Sequence, residues 1–419
     1  MKALVLNLVI VGMTLGTAWA VRGQFGHEQG AAWAASIGAI CVILIADKQE
    51  WYNRVFKIVL AAAIGWGIGG MISYGLVVGY GRGIDFINVY YGLAMLFVIG
   101  GLYGILGGGL FGLALTNPGQ SKIDWPRLIT EMVAGAVVAY FFLIMQWEWL
   151  MTPPRDEMWA ACFGMAVALA WYLIRNKHHS ALRVALFSGL GAGFGFAFGN
   201  FLQVMGNTTG IAFNFWNVME YSIGFFGGIG MAYGTFTSQW DFSENEPQRS
   251  GSLVPMLILV LFIPFVVWEQ SFGTERLTNI YQQIISGNLS VVVTIVRTGV
   301  LLLVLGYATA VTGRFYGRTG IKARQVKNWF LAHFGVYILF SLLITGAIFS
   351  SYRVEQYLYL VNYAVVLFFL SRREAAFQVK LLPGNKIWYA VSAVVVLLAL
   401  LALIAINSHG EMGGMQERF

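Results

Sequence analysis

Apolar runs of bilayer length recur from one end of this chain to the other, and that recurrence limits the fold more than any other feature. A membrane span takes about 20 mostly apolar residues. Runs of this kind lie at 3–21, 30–46, 56–77, 86–115, 128–150, 157–174, 182–205, 213–236, 253–268, 290–312, 328–350, 357–371 and 387–406, about thirteen in all. Inside lipid only helices and closed barrels satisfy their own backbone, and these runs lack the alternation of a barrel strand. Charged residues make up only 11% of the chain, where soluble domains carry about 25%. The predicted fold is all-α, a polytopic transmembrane helical bundle.

The formal charge of +7 falls in short loops, where it orients spans, so no nucleic-acid partner is expected. Cys41 and Cys162 lie inside apolar runs and read as packing residues. Lys2 and the run ending Ala18-Trp19-Ala20 have the outline of a cleaved leader. A matching segment recurs later in the chain, so this one reads as the first span.

The recurrence is an internal duplication. Trp33-Ala34-Ala35 and Gly38 return as Trp159-Ala160-Ala161 and Gly164, an offset of 126 residues. At the same offset Gly65, Gly67 and Gly69 meet Gly191, Gly193 and Gly195, and Lys57 meets Arg183. Self-similarity at a fixed offset implies a repeated structural unit. The expected organisation is repeat one over 1–120, repeat two over 121–240, a polar cytoplasmic linker over 241–252, and a five-span C-terminal region over 253–419. Four segments per copy give both copies the same orientation, a parallel repeat. Loop charge agrees: Lys48, Arg54 and Lys57 follow the second segment of copy one, and Arg175, Lys177 and Arg183 that of copy two. The positive-inside rule then predicts a multi-pass cell-membrane protein of bacterial inner-membrane type. Its N-terminus would be cytoplasmic and its C-terminus external. Residues 269–288 are expected to form an external loop, partly a surface helix.

Ionisable groups between two apolar runs are costly and mark functional-site candidates. Residues 22–35, RGQFGHEQGAAWAA, place Arg22, His27 and Glu28 there, broken by Gly23, Gly26 and Gly30. Copy two contributes Asn200, Gln203 and Asn207 on one helical face, then Asn217 and Glu220 one turn apart. Glu220 continues into a stripe of Gly224 and Gly228, which suits a tightly packed helix facing a cavity or a partner rather than lipid. The substrate-binding candidates are Arg22, His27, Glu28, Asn200, Gln203, Asn217 and Glu220, sharing one site between the copies. Separate roles are also open: Arg22 and Glu28 as an external ion pair, and the amide row from Asn200 to Asn207 as helix packing. Arg297 would pair with Glu269 or another carboxylate.

No Walker motif, zinc spacing or HExxH pattern occurs, so no catalytic group, cofactor or metal site is predicted. Broken helices and polar groups at a repeat interface suit a secondary transporter of a small polar solute, such as a sugar. A proton or sodium ion is the expected coupling ion. An integral-membrane enzyme acting on a lipid-linked or glycan substrate at the outer face is the second expectation. A non-catalytic subunit of a membrane complex is the third, and oligomers or partner subunits stay open.

Overall fold

A computed structural model describes residues 2–116, 123–241, 253–318, 320–350, 353–372 and 386–419. The linker expected at 241–252 lies outside the described residues apart from Asp241. The described chain is helical, with no strand. Its elements are α1 (Lys2–Arg22), α2 (His27–Ala46), α3 (Gln49–Asn53), α4 (Val55–Gly70), α5 (Gly75–Tyr80), α6 (Phe86–Leu115), α7 (Trp125–Tyr140), α8 (Met158–Arg175), α9 (His179–Thr208) and α10 (Phe215–Phe236). There follow α11 (Leu253–Leu257), α12 (Ile263–Ser271), α13 (Thr274–Tyr281), α14 (Leu289–Phe315), α15 (Ala323–Ile344), α16 (Val354–Leu370) and α17 (Lys386–Ile406). Short π-helical stretches, Phe141–Gln146 and Ile258–Phe262, extend α7 and join α11 to α12. Among the described residues, 10 helices are long and apolar enough to cross a membrane, and Val55–Gly70 and Val354–Leu370 are shorter apolar helices. The chain is a polytopic, membrane-embedded helical bundle.

Six helices form a closed ring, α1 to α2 to α4 to α6 to α9 to α10 and back to α1. Glycine sets how closely they approach. Gly100, Gly104, Gly108 and Gly112 recur every fourth residue of α6 and face Ala192, Ser188, Val184 and Ala181 of α9. At that spacing they occupy one face, and small residues let helix backbones meet where lipid supplies no hydrophobic drive. On the far side of α9, Gly191 and Gly195 meet Phe226 and Ser222 of α10. Gly224 and Gly228 of α10 in turn meet Leu15 and Val11 of α1. The middle of the ring is filled by Trp19, Trp66, Tyr103 and Phe196, each fully buried.

The third expected run, 56–77, is divided. α4 ends at Gly70 and α5 starts at Gly75, while α9 runs unbroken for 30 residues through the matching positions. Gly70 lies against the His27 carbonyl, and Ile72 accepts a 3.5 Å hydrogen bond from the Tyr103 hydroxyl. Tyr103 stands twelve residues from the Leu115 end of α6, about 18 Å at 1.5 Å per residue. The break is therefore inside the bundle, where irregular backbone is tolerated only against protein or a water-filled cavity.

The basic loops that follow α2 and α8 share one end of the bundle. Gln49 donates to the Ile321 carbonyl at 2.8 Å, Trp51 meets Trp240, and Arg183 donates to Thr237 at 3.0 Å. The opposite end gathers the α1–α2 turn, the start of α10, α13 and residues 407–419. α13 is the surface helix expected within 269–288. Arg297 corrects an expectation: its guanidinium donates to Thr274 Oγ1 at 2.9 Å and lies over Trp268, and no ion pair with Glu269 forms. The guanidinium is only partly buried, so solvent, the Thr274 hydroxyl and the Trp268 ring meet it without a carboxylate.

A second buried polar chain ties α2 to α14 and α15. Trp329 Nε1 donates to the Tyr307 hydroxyl at 2.9 Å, and that hydroxyl lies 2.7 Å from His333 Nδ1. His333 Nε2 lies 2.7 Å from Ser36 Oγ, which donates to the Trp33 carbonyl. Because Ser36 uses its proton on Trp33, it accepts from Nε2–H, and Nδ1 then accepts from Tyr307. This assigns a neutral imidazole with both nitrogens satisfied. Tyr307→Phe strands Nδ1 and the Trp329 N–H together. It is expected to cost about 1–3 kcal/mol, read as a lower thermal midpoint in detergent, while Tyr316→Phe on the exposed surface changes nothing.

Candidate functional site

At the outer rim of the aromatic plug, α1, the α4–α5 break and α10 each supply one polar group. Arg22 Nη2 donates to Glu220 Oε2 at 3.0 Å and to the Tyr74 hydroxyl at 3.1 Å. The Tyr74 hydroxyl donates to Glu220 Oε1 at 2.6 Å. Arg22 is 0% exposed and Glu220 1%. The guanidinium lies over the Trp19 ring, 4.5 Å from its centroid, a cation–π contact strengthened by the absence of water. Arg22 Nε and Nη1 have no hydrogen-bond partner among the described residues. A buried guanidinium with idle donors is costly.

The break explains the position of Tyr74. A continuous helix through residues 71–74 would turn this side chain with the helical repeat; the irregular link instead sets its ring 5.0 Å from Phe196 and 6.1 Å from Trp216. Glu220 sits one and a half turns into α10, on the face where Gly224 lies against Leu15 and Trp19. That close approach brings the carboxylate to Arg22.

Two cavities flank this triad and share Gly23 and Trp216. One, about 290 Å³, reaches Glu220 and is lined by Gln24, Asn217, Arg276, Glu355 and Gln356 among others. Burial pulls Arg276 of the surface helix α13 below the ordinary guanidinium value, but a guanidinium stays charged at neutral pH. The other cavity, about 570 Å³, reaches Tyr74 and is lined by His27, Glu28, Arg155, Asp156 and Gln416 among others. Both carry groups of each sign, and both lie at the end of the bundle opposite the basic loops.

The seven sequence-derived candidates thus divide. Arg22 and Glu220 meet directly, and Asn217 lines the cavity of Glu220. His27 and Glu28 line the neighbouring cavity, with the His27 ring 5.6 Å from that of Tyr74. Arg22 pairs with Glu220 and not with Glu28, because Glu28 is exposed at the start of α2 while Arg22 turns inward from the end of α1. Asn200 and Gln203 line neither cavity. Asn200 Nδ2 donates to the Val78 carbonyl and to Gln203 Oε1, each at 3.3 Å, which fastens α5 to α9. The sequence reading passed over Tyr74, Trp216 and Gln356. Tyr74 carried one signal, its alignment with Asn200 at the 126-residue offset. Trp216 belongs to the aromatic cluster Phe213–Trp216, which by sequence reads mainly as packing and only secondarily as a ring-stacking surface; Gln356 carried no signal.

Residues 410–419 fold back over the larger cavity. Gln416 donates its N–H to the Gly79 carbonyl at 3.1 Å, Asn88 donates to the Gln416 carbonyl at 2.9 Å, and Arg418 donates to the Leu150 carbonyl at 2.6 Å. Gly79 has to be glycine here, since a Cβ would meet Gln416 Cγ. Gly75 lines the cavity beneath with nothing within 4 Å of a Cβ. Gly75→Cys is therefore expected to fold and to react with a membrane-impermeant maleimide from that end alone. Both native cysteines are buried, so background labelling is low. Removing residues 411–419 should speed the reaction severalfold; an unchanged rate would mean that the tail leaves the cavity open.

The fold and this buried junction define a polytopic helical membrane protein with an enclosed charge pair at a helix break. In comparisons with known proteins, the chain matches no family model, no curated protein and no solved structure. Among the described residues no cluster of three or more metal-ligating side chains occurs.

Proposed function

We propose that the protein is a secondary transporter of a small polar solute, and that Arg22, Glu220 and Tyr74 form the junction the solute must open. The observation that carries this reading is an ion pair with idle donors, sealed between two polar cavities beside a broken helix. Discontinuous helices at polar sites are a recurring device of transporters, and intramembrane ionisable groups mark solute or proton paths. Trp19, Trp66, Tyr103 and Phe196 close the route toward the basic end, so the arrangement corresponds to one side of an alternating-access cycle. Glu220 is the coupling carboxylate, for a proton or sodium. His27, Glu28 and Asn217 meet the solute on its way in.

In this reading α4 with α5, α10 and α16 complete thirteen crossings of a cell membrane of bacterial inner-membrane type. The basic end is cytoplasmic, residues 407–419 are external, and two parallel repeats carry the site. A second reading rests on the cavities opening at one end only: an integral-membrane enzyme acting on a lipid-linked or glycan substrate at the outer face.

Ligands that bind only the native state raise its thermal midpoint. The test is a screen of sugars, amino acids, nucleosides and lipid-linked precursors at varied sodium and pH, with Glu220→Gln alongside. A water-soluble hit that depends on sodium or pH and is lost in the variant supports transport. Hits confined to lipid-linked compounds would replace it with the enzyme.

A further inference from the structure

A further cavity, about 690 Å³, shares no lining residue with the two beside the junction and lies in a cleft between α4 and α7. We infer that this cleft holds one acyl chain of an anionic phospholipid, with the headgroup at Lys57. The lining is apolar except at its mouth, where Lys57 and Arg54 supply cations and, among the described residues, no acidic side chain contributes. Its walls open sideways: Ile64 is 47% exposed and Ile129 58%, as lipid-facing side chains are.

Length fits one leaflet. From Lys57 to Ile68 the cleft follows eleven residues of α4, about 16 Å at 1.5 Å per residue. The hydrocarbon core is about 30 Å thick, so the apolar groove is about half a bilayer deep. Trp125 lines the same cleft at the start of α7, a residue type that favours the membrane–water interface.

The two cations are not equivalent. Arg54 is committed, pairing with Glu50 at 2.8 Å and donating to the Ala114, Leu115 and Thr116 carbonyls at the end of α6. Lys57 is exposed and has no hydrogen bond or ion pair among the described residues. It is the charge left to meet a phosphate, and basic pockets between spans at this surface recognise anionic headgroups.

The test uses delipidated full-length protein, titrated with phosphatidylglycerol, with phosphatidylcholine of the same chains, and with soluble glycerol phosphate, reading the thermal midpoint. Phosphatidylglycerol is expected to stabilise at lower concentration than phosphatidylcholine. Lys57→Gln should weaken it about fivefold, the effect of one lysine near an anionic surface. Ile64→Trp, which fills the groove and leaves the mouth intact, should weaken both lipids. Equal response to the two lipids, an unchanged response in Lys57→Gln, or a full response to glycerol phosphate alone would each overturn the assignment.

Discussion

Glu220→Ala is expected to destabilise the protein by about 3–5 kcal/mol, because it leaves Arg22 buried with its charge uncompensated. Arg22 cannot escape by losing its proton, and the Trp19 ring beneath it offers no acceptor. The same substitution strips Tyr74 of its 2.6 Å acceptor. Arg22→Met is expected to cost nearly as much for the mirrored reason, stranding the carboxylate. The pair Arg22→Met with Glu220→Leu should be more stable than either single variant, since it removes both charges and substitutes apolar volume. Thermal midpoints in detergent give the cycle. Additive losses would mean that the two groups do not depend on one another, contrary to their geometry.

Gly104→Ala is the second large effect. Its Cβ would drive into the Ser188 carbonyl of α9, a backbone atom that cannot rotate away. Alanine ordinarily favours a helix over glycine by about 1 kcal/mol, so propensity alone predicts stabilisation. Overpacking at a fixed backbone costs about 1–3 kcal/mol and sometimes more, and here it must separate α6 from α9. The control lies on the same helix: at Gly101 the nearest atom to a Cβ is 3.8 Å away. Gly101→Ala is expected to be neutral or stabilising. Equal behaviour at the two positions would show that glycine serves flexibility there and not close approach.

Much of the bundle was legible because apolar run length and the charge deficit leave few solutions in lipid. Arg22 and Glu220 were legible for the same reason: each is an ionisable group in an apolar setting. Their pairing was not, since 198 residues separate them and nearer carboxylates such as Glu28 compete on paper. Tyr74 was hidden because a tyrosine in an apolar run ordinarily reads as packing, and the run gave no sign that α4 stops at Gly70. Asn200 and Gln203 looked like a solute face because spacing shows which residues share a face, not what that face meets. It meets α5, an element the sequence did not set apart.

The measurement that bears most directly on the transport reading is solute uptake into proteoliposomes, using the solute selected by thermal shift, with and without an imposed proton or sodium gradient. The reading predicts gradient-dependent accumulation by the native protein, reduced to the level of protein-free liposomes in Glu220→Gln that still binds detergent as a monodisperse particle. Uptake no greater than in protein-free liposomes, or uptake unchanged by Glu220→Gln, would contradict it.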